Sequence, residues 1–478
     1  MNFRLTLSVL GGLLIFLGAT LLAPIPFALY YRDGQFFAFL LSAAVTTLAG
    51  ALLLRFFRSR EEIGLREGFA IVTFTWVGFA LFGSLPYLFS GSLPNPIDAF
   101  FESMSGFTTC GASVYTDVEA NPKSVLFWRA LSQWIGGMGI IVLGIAVLPL
   151  LGVGGMQLYE AERLSPAGDR LTPRIQDTAR LIWGIYAIFT ALGVALYWLG
   201  EMDFYDAVCH TFAAISTGGF STRNASLGAF DRYSQFVTIF LMFAGGVNFS
   251  LHYFALRGRF RRFWINDEFR FYSGALAGAS VIVFLFNLPG YDAALANIID
   301  SAFTVVSIMT STGFATADYE LWPFFSQGLL VLLMFLGGSA GSTSGGIKQV
   351  RIALLLKHTW EQTAQLLHPR RVRVLKLDRR PVSAYVMKDI LGFVVLFLAI
   401  FVIASLLLAA VGVDLITAGS SVIACLSNIG PGLGEVGPAD NYASLPYSAK
   451  IVLSLCMLLG RLEIFTVLVL LFASFWKK

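Results

Sequence analysis

Long apolar runs restrict the fold of this chain more than any other feature of its sequence. Most are close to the ~20 residues that a helix needs to cross the ~30 Å hydrocarbon core of a bilayer. The runs are Leu5–Tyr31, Phe36–Phe57, Ala70–Phe89, Ile135–Leu151, Leu181–Leu199, Phe236–Leu256, Ser273–Leu288, Leu329–Leu336, Ile390–Val411 and Ile451–Phe475. Backbone that crosses lipid must satisfy its own hydrogen bonds, and a barrel would need short alternating strands instead of continuous runs. The sequence therefore predicts an all-α polytopic membrane protein.

The composition agrees with this interpretation, because charged residues make up only 13% of the 478 residues, against about 25% in soluble domains. The first run follows Arg4 and ends in small residues, which resembles a secretory signal peptide. Its apolar stretch is too long for a signal peptide, and Pro24 and Pro26 follow at once. We therefore interpret it as a retained span.

Lysine and arginine are concentrated in alternate loops between the runs. The rich segments are 55–66, 163–180, 257–270, 357–388 and the end of the chain. Because cytoplasmic loops carry the excess of basic residues, this alternation predicts two cytoplasmic termini, an even number of spans and a multi-pass protein of the cytoplasmic (inner) membrane. The net charge of +4 then reflects orientation and not nucleic-acid binding. Segment 357–388 is better suited to anionic lipid or a cytosolic partner than to nucleic acid.

Four segments of the chain, 98–112, 206–220, 300–314 and 417–431, align with one another without gaps. Each carries a glycine at the same place and a hydroxyl residue three positions before it, and three carry an aspartate thirteen positions before it. The glycines are Gly111, Gly219, Gly313 and Gly430; the hydroxyl residues are Thr108, Ser216, Thr310 and Ser427; the aspartates are Asp98, Asp206 and Asp300, with Thr417 in the fourth segment.

This pattern predicts four short pore helices, each followed by an extended polar strand. The aspartates are expected to cap the helices. Four helix C-termini aimed at one point favour a cation, and glycine lets the strands turn their carbonyls inward. Such backbone is tolerated at membrane depth only where it lines a water-filled cavity, and rings of carbonyls replace the hydration shell of K⁺ in potassium filters. The alternative is a set of tight turns between short helices.

Each of the four loops lies between two apolar spans. The spans before the loops are roughly 67–90, 178–200, 270–289 and 384–411, and those after them are roughly 124–150, 232–257, 324–357 and 447–475. The chain is thus divided into two N-terminal spans (1–62) and four pseudo-symmetric helix–pore loop–helix repeats around one pore: 63–155, 156–262, 263–365 and 366–478. The predicted total is ten full spans and four re-entrant loops.

These loops resemble those of the K⁺ transporter superfamily that includes the Trk, Ktr and HKT proteins. The extra N-terminal spans, the fourth loop and the segment 337–348 are most similar to the TrkH type, and the match covers nearly the whole chain. In this family a glycine at the filter position of every repeat goes with potassium preference. The resemblance implies K⁺ as the bound ion, with Rb⁺ as a surrogate. The carbonyls implied as ligands belong to Thr109, Cys110, Gly111, Thr217, Gly218, Gly219, Ser311, Thr312, Gly313, Asn428, Ile429 and Gly430.

A glycine- and serine-rich segment interrupts the second span of the third repeat, and its composition is unsuited to a stable helix. It consists of Gly337, Gly338, Ser339, Ala340, Gly341, Ser342, Thr343, Ser344, Gly345 and Gly346, with Lys348 just beyond. The resemblance implies an intramembrane loop (337–348) that lies below the filter and acts as a gate. A phosphate-binding loop is the alternative, but Ile347 precedes the lysine and no strand leads in, so that motif fails.

Arg461 lies in the middle of the last span, and a charge at that depth marks a functional site by default. A matching arginine faces the intramembrane loop in the family. We therefore expect Arg461 to donate to carbonyls of 337–346 or to form a positive barrier below the filter, with Lys348 as a second candidate for that barrier. An internal ion pair of Arg461 with Glu463 or with another buried acid is the alternative.

Three classes of function are considered: a passive gated K⁺ channel, a symporter that couples K⁺ to H⁺ or Na⁺, and a membrane enzyme. An enzyme needs a nucleophile, an acid–base pair or a metal cluster, and the four histidines, four cysteines and few buried acids provide none. Glu102 and His210 share one register in the first two pore helices, and we interpret them as polar contacts of those helices. The sequence favours the channel over the symporter.

The resemblance also implies partners. Proteins of the TrkH type are homodimers with one pore in each protomer, and they bind cytosolic TrkA-type regulatory subunits that carry nucleotide-binding domains. This chain has no nucleotide motif, so no organic cofactor is expected in it. The basic segments 155–178, 257–270 and 357–388 are the expected docking sites for the cytosolic subunits, and lipid surrounds the spans.

Overall fold

The computed structural model describes residues 1–59, 61, 64–142, 175–368 and 374–477. In these ranges the regular structure is helical, apart from two short antiparallel strands, β1 (Lys376–Leu377) and β2 (Arg380–Pro381). The basic segment 155–178 lies almost entirely outside the described residues, as do residues 369–373 of the segment 357–388.

Small residues let the first two long helices pack closely. Helix α1 (Phe3–Thr20) continues through α2 (Ile25–Tyr31) and lies along α3 (Phe36–Phe57). A Cβ on Gly11 would lie 2.7 Å from the carbonyl oxygen of Gly50, and a Cβ on Gly50 would lie 2.6 Å from that of Gly11. In lipid, helices associate through close packing and not through the hydrophobic effect, so this approach stabilises the pair.

The four repeats follow in chain order. Each has a span before the loop, a pore helix and a second helical segment after the loop. Repeat 1 has α4 (Leu65–Gly83), α5 (Leu85–Phe89), α6 (Pro96–Phe107) and α7 (Lys123–Val142). Repeat 2 has α8 (Ile175–Trp198), α9 (Phe204–Ile215), α10 (Arg232–Gly246) and α11 (Phe249–Leu256), followed by α12 (Arg261–Ile265). Repeat 3 has α13 (Asp267–Asn287), α14 (Ala294–Met309), α15 (Phe324–Phe335) and α16 (Gln349–Leu367), and repeat 4 has α17 (Ala384–Ala410), α18 (Leu415–Leu426), α19 (Tyr447–Arg461), α20 (Phe465–Leu468) and α21 (Ala473–Trp476).

Short 3₁₀ helices connect these elements at Ser226–Ala229, Leu288–Gly290, Tyr319–Leu321, Gly434–Val436, Tyr442–Ser444 and Val469–Leu471. The pore helices are α6, α9, α14 and α18. The spans predicted before the loops correspond to α4–α5, α8, α13 and α17.

The predicted caps of the pore helices are wrong by about one turn. Asn95 and Asp203 cap α6 and α9, three residues before Asp98 and Asp206, which lie in the first turns. Asp300 lies within α14, six residues after its first residue. The three aspartates bind distant partners instead, and this outweighs the local capping preference.

Two of the spans predicted after the loops are sharply bent. The bend between α10 and α11 is 104°, and that between α19 and α20 is 111°. At the first bend Val247 has extended backbone and the side chain of Asn248 caps α11. At the second, Glu463 and Ile464 both have positive φ, and Ile464 (φ 53°, ψ −62°) forms a γ-turn closed by the Phe465 N–H and the Glu463 carbonyl. The sequence predicts both spans as unbroken, although Gly246 and Asn248 lie at the first break and Arg461 and Glu463 at the second.

Among the described residues, six helices are long and apolar enough to cross a membrane, or eight if each bent pair counts as one span. The predicted span 124–150 extends beyond the described residues, and the predicted span 324–357 is divided at the intramembrane loop into α15 and α16. The count of ten spans therefore stays a prediction, whereas the predicted interruption of the third repeat is confirmed.

Large apolar side chains cover the outside of the bundle. On α17, Val402, Ile403 and Leu406 are 50%, 58% and 62% exposed. An apolar outer surface of this kind is stable when lipid covers it. The polar loops and pore helices are buried inside it.

Candidate functional site: the four-loop filter and the intramembrane loop

Every pore helix ends in the same backbone turn. The residue two positions before each aligned glycine is left-handed, with φ of 51° at Thr109, 53° at Thr217, 54° at Ser311 and 55° at Asn428. The next N–H donates to the carbonyl five residues earlier, which closes a Schellman turn. These bonds join Cys110 to Ser105 (2.9 Å), Gly218 to Ala213 (2.8 Å), Thr312 to Ser307 (2.8 Å) and Ile429 to Ala424 (2.7 Å). Non-glycine residues rarely adopt this conformation, so its fourfold recurrence indicates a shared constraint.

The aligned glycines also have positive φ: 85° at Gly111, 79° at Gly219, 84° at Gly313 and 102° at Gly430. Glycine adopts this backbone without strain, whereas a side chain would be strained. The prediction that these glycines permit unusual backbone is confirmed in all four repeats.

The four loops meet around one axis. A Cβ on each aligned glycine would run into the carbonyl oxygen that precedes the glycine of the next repeat. The pairs are Gly111 with the Gly218 carbonyl, Gly219 with that of Thr312, Gly313 with that of Ile429, and Gly430 with that of Cys110 at 2.7 Å. The contacts run from repeat 1 through 2, 3 and 4 and back to 1, so they close a ring of carbonyls. We call these four loops the filter ring (residues 109–111, 217–219, 311–313 and 428–430).

The aligned aspartates tie three of the pore helices to other parts of the chain. Asp206 accepts from the hydroxyl of Thr222 at 2.7 Å and from Arg223 at 2.8 Å. Asp300 accepts from the hydroxyl of Thr316 at 2.8 Å, at the same two registers of the third repeat. In the first repeat Asp98 binds Lys450 of α19 at 2.7 Å. The aspartates therefore anchor three of the four repeats from outside the ring.

A buried ion pair supports the first loop from behind. Glu102 lies 2.7 Å from Arg129 of α7, and both side chains are at most 2% exposed. Glu102 also accepts from the Val114 N–H at 2.9 Å and the Ser113 hydroxyl at 3.0 Å, while Arg129 donates to the Ser221 carbonyl of repeat 2 at 3.2 Å. The pair therefore joins the strands that leave the first and second loops.

His210, the residue aligned with Glu102 in the second repeat, also contacts the strand that leaves its loop. His210 Nε2 lies 2.9 Å from the hydroxyl of Ser221, and its Nδ1 lies 2.8 Å from the Asp206 carbonyl oxygen. The interpretation of Glu102 and His210 as polar contacts of the pore helices is confirmed. Arg129 was missed, although a charge within an apolar helix is the signal that identified Arg461.

A polar vestibule of about 130 Å³ lies against the ring and is lined mostly by residues that follow the aligned glycines in the chain. The four aligned glycines lie at its floor, and Arg129, Arg223 and Asn224 line its wall.

The intramembrane loop is held against the opposite side of the ring. The Gly345 N–H donates to the hydroxyl of Ser311, a filter-ring residue, at 2.6 Å. The Thr343 hydroxyl donates to the carbonyl of Ile215, the last residue of pore helix α9, at 3.1 Å. The loop therefore contacts both the filter ring and the end of a pore helix.

Backbone amides of this loop are already paired within the protein. The Ser339 N–H donates to the Gly246 carbonyl at 2.8 Å and the Thr343 N–H to the Gly245 carbonyl at 3.2 Å. A phosphate loop needs such N–H groups free to bind an anion. The nucleotide-site alternative therefore gains no support.

Arg461 contacts the loop as expected. Its guanidinium donates to the Thr343 carbonyl at 2.6 Å and to the Gly136 carbonyl of α7 at 3.3 Å. The alternative pair with Glu463 does not form, because Glu463 lies 2.6 Å from Arg351 of α16. Lys348 donates to the Ser344 carbonyl, so it too lies against the loop.

The sequence did not identify Glu268 at the start of α13. Its Oε1 accepts from the Ala340 N–H at 2.7 Å and from the Val350 N–H at 3.2 Å. One carboxylate thus binds both the loop and the first turn of α16. Acidic residues are common in the first turn of a helix, so the sequence gives no sign that Glu268 makes this contact.

The protein-family model described as "TrkH: Cation transport protein" matches residues 35–478. The chain belongs to the TrkH family. The Trk system potassium uptake protein TrkH of Escherichia coli K12 is 41% identical, and that of Vibrio parahaemolyticus is 40% identical, each over 100% of both chains. The crystal structure of the potassium transporter TrkH from Vibrio parahaemolyticus covers 100% of both chains with a TM-score of 0.92 and 38% identity.

Membership of the TrkH family confirms the resemblance drawn from the repeated loops. The prediction of an all-α polytopic membrane protein is confirmed by the helical structure together with this match. The roles of the filter ring and of the intramembrane loop stay predictions.

Proposed function

We propose that this TrkH-family chain carries K⁺ into the cell through the filter ring, as a selective, channel-like pore that also accepts Rb⁺. The closed ring of carbonyls carries the proposal: four oxygens from four repeats converge on one axis, where they replace the hydration shell of an ion. The relatives, named as potassium uptake proteins, support K⁺ as that ion and transport, not catalysis, as the activity.

Four helix C-termini add to the attraction for a cation. Each pore helix ends directly below its ring strand, and the partial negative charge of a helix C-terminus favours positive charge nearby. The ring is buried among apolar helices, so this field is screened less than it would be in water.

The intramembrane loop is the proposed gate. It lies against Ser311 of the ring on one side and binds Arg461 on the other. Arg461 and Lys348 put positive charge directly below the ring, which opposes passage of a cation. Opening then requires the loop to leave Arg461, Glu268 and the pore-helix end.

Reconstitution into liposomes tests this function. Uptake of radioactive Rb⁺ is driven by an outward K⁺ gradient, with Na⁺ and H⁺ gradients absent. The proposal expects uptake that external K⁺ inhibits far better than Na⁺ does. The Arg461→Ala variant, whose gate contact is removed, runs in parallel, so that a closed gate in the parent chain is not mistaken for the lack of a pathway.

A symporter that couples K⁺ to H⁺ or Na⁺ is the second candidate. The bends at Val247 and Ile464 and the interruption at 337–348 favour it, because discontinuous helices near the membrane centre are typical of coupled transporters. Uptake that appears only under an imposed H⁺ or Na⁺ gradient would select the symporter over the channel.

The remaining expectations concern location and partners. We propose an inner-membrane location with both termini in the cytoplasm, a homodimer, and cytosolic TrkA-type subunits docked on the basic loops. The exposed arginines of segment 257–262 support docking of an acidic partner. The exposed Leu356, Trp360 and Leu366 of α16 support burial against lipid or a second protomer.

A further inference from the structure

Of the four carbonyls that directly precede the aligned glycines, that of Gly218 has a hydrogen-bond donor that the other three lack; one residue further along repeat 4, the Gly430 carbonyl accepts from the Tyr442 hydroxyl at 2.6 Å. Gln133 of α7 is fully buried, and its Nε2 donates to the Gly218 carbonyl at 2.5 Å. Its Oε1 accepts from the Phe220 N–H at 3.1 Å. The side chain thus binds the second loop on both sides of Gly219.

The equivalent ring carbonyls of Cys110, Thr312 and Ile429 accept no hydrogen bond within the part of the chain that the structure describes. The four carbonyls therefore differ in hydrogen bonding, although the backbone conformation of the four loops is the same.

The repeats themselves show that glutamine is the exception at this place. Gln133 stands three residues before Gly136 in the helix after the first loop. In the other three repeats the same distance before a glycine is occupied by methionine: Met242 before Gly245, Met334 before Gly337 and Met457 before Gly460. All three methionines are fully buried.

Geometry supports this alignment in three repeats. A Cβ on Gly136, Gly245 or Gly460 would run into the carbonyl of the last residue of its own pore helix, namely Phe107, Ile215 or Leu426. The glycines that follow Gln133, Met242 and Met457 therefore occupy one structural position, and only glutamine can donate a hydrogen bond from there.

Gly218 and Gln133 are also matched in shape. A Cβ on Gly218 would lie 2.5 Å from Oε1 and 2.8 Å from Nε2 of Gln133. The other repeats have a side chain at this register, namely Cys110, Thr312 and Ile429. In repeat 2 the glutamine side chain occupies the space that a side chain at position 218 would need.

We propose that Gln133 is a positioning residue that sets the discrimination of the filter ring between K⁺ and Na⁺, which rests on the proposed function. The amide fixes the Gly218 carbonyl in place and withdraws part of its negative charge from the axis. A weaker, fixed field favours the larger and less strongly hydrated ion, because it repays less of the dehydration of Na⁺. Without the amide the Gly218 oxygen is free to move toward a smaller ion.

The test replaces Gln133 by methionine, the residue of the other three repeats and close to it in size. Rb⁺ uptake into liposomes is measured with increasing K⁺ or Na⁺ outside, and the ratio of the two inhibition constants is the readout. We expect the ratio to fall on the order of fivefold, the factor that corresponds to one typical hydrogen bond of about 1 kcal/mol. Met242→Leu, which changes packing at the equivalent place without touching a donor, is expected to keep the parent ratio.

The outcomes separate this inference from the proposed function. A parent chain and Arg461→Ala variant that both lack K⁺-inhibited Rb⁺ uptake would overturn the proposed function. A selective parent with an unchanged ratio in Gln133→Met would overturn the role of Gln133, even if total uptake fell, since a merely structural role lowers uptake without changing selectivity. If Gln133→Met is not monodisperse, Gln133→Leu, which also lacks the donor, is measured with the same expected fall.

Discussion

Replacing Arg461 by alanine is expected to raise ion flux. The guanidinium binds the Thr343 carbonyl of the intramembrane loop at 2.6 Å and the Gly136 carbonyl of α7 at 3.3 Å. A net hydrogen bond to a charged group is worth about 1.5–3 kcal/mol. Counting only the short bond to the loop, alanine removes about 2 kcal/mol from the closed arrangement, which shifts the equilibrium toward the open one roughly 30-fold.

The assay is initial Rb⁺ uptake into liposomes at matched protein density. Arg461→Lys is the informative companion, because lysine keeps the positive charge but cannot present two donors to carbonyls on separate elements. If the contact with Thr343 holds the loop, uptake in the lysine variant lies between the parent and alanine values. If charge alone forms the barrier, the lysine variant stays close to the parent. Arg259→Ala, which removes an exposed arginine, is the control for loss of an arginine as such.

Unchanged or lower uptake in monodisperse Arg461→Ala protein would refute the reasoning. It would mean that the contact between Arg461 and Thr343 does not limit passage. The loop would then have to be treated as a fixed part of the pore wall.

Three further outcomes are expected. Gly111→Ser places a side chain at φ 85° against the Gly218 carbonyl, so K⁺ should lose its advantage over Na⁺ in Rb⁺ competition; an unchanged advantage would contradict the ring geometry. Glu102→Gln leaves Arg129 buried without its charge partner, which lowers the free energy of unfolding by about 3–5 kcal/mol. The thermal unfolding midpoint in detergent should therefore fall clearly, and an unchanged midpoint would contradict a stabilising role for the ion pair. Glu268→Ala removes the acceptor for the Ala340 N–H of the intramembrane loop and the Val350 N–H of α16, so Rb⁺ uptake should rise severalfold. Glu268→Gln, which keeps an acceptor oxygen, should raise uptake less; equal uptake in all three chains would argue against this anchor.

The sequence was sufficient to predict the pore-helix positions and the unusual backbone at the four glycines, because both depend on local pattern repeated four times. It misplaced the caps of the pore helices because Asp206 and Asp300 prefer partners sixteen residues away, Thr222 and Thr316, to their own helix ends. These hydrogen bonds form only when the chain is folded, so the local sequence around each aspartate does not predict them.

The breaks in the spans were hidden for a different reason. Ile464 has a positive φ, which β-branched residues usually avoid, so an isoleucine at this position does not predict a turn. Arg129, by contrast, was open to prediction, because it is a charge within an apolar helix. Gln133 becomes visible only when the helices after the loops, and not the loops alone, are aligned with one another.

The most direct test of the central claim is to locate the ion. Crystals of the protein are grown in Rb⁺ and in Na⁺, and anomalous difference density is collected at the rubidium edge. We predict a peak in the Rb⁺ crystals on the axis of the filter ring, level with the carbonyls of Cys110, Gly218, Thr312 and Ile429, and no such peak in the Na⁺ crystals. Rb⁺ density found only elsewhere in the protein, or a ring without density in Rb⁺, would contradict it.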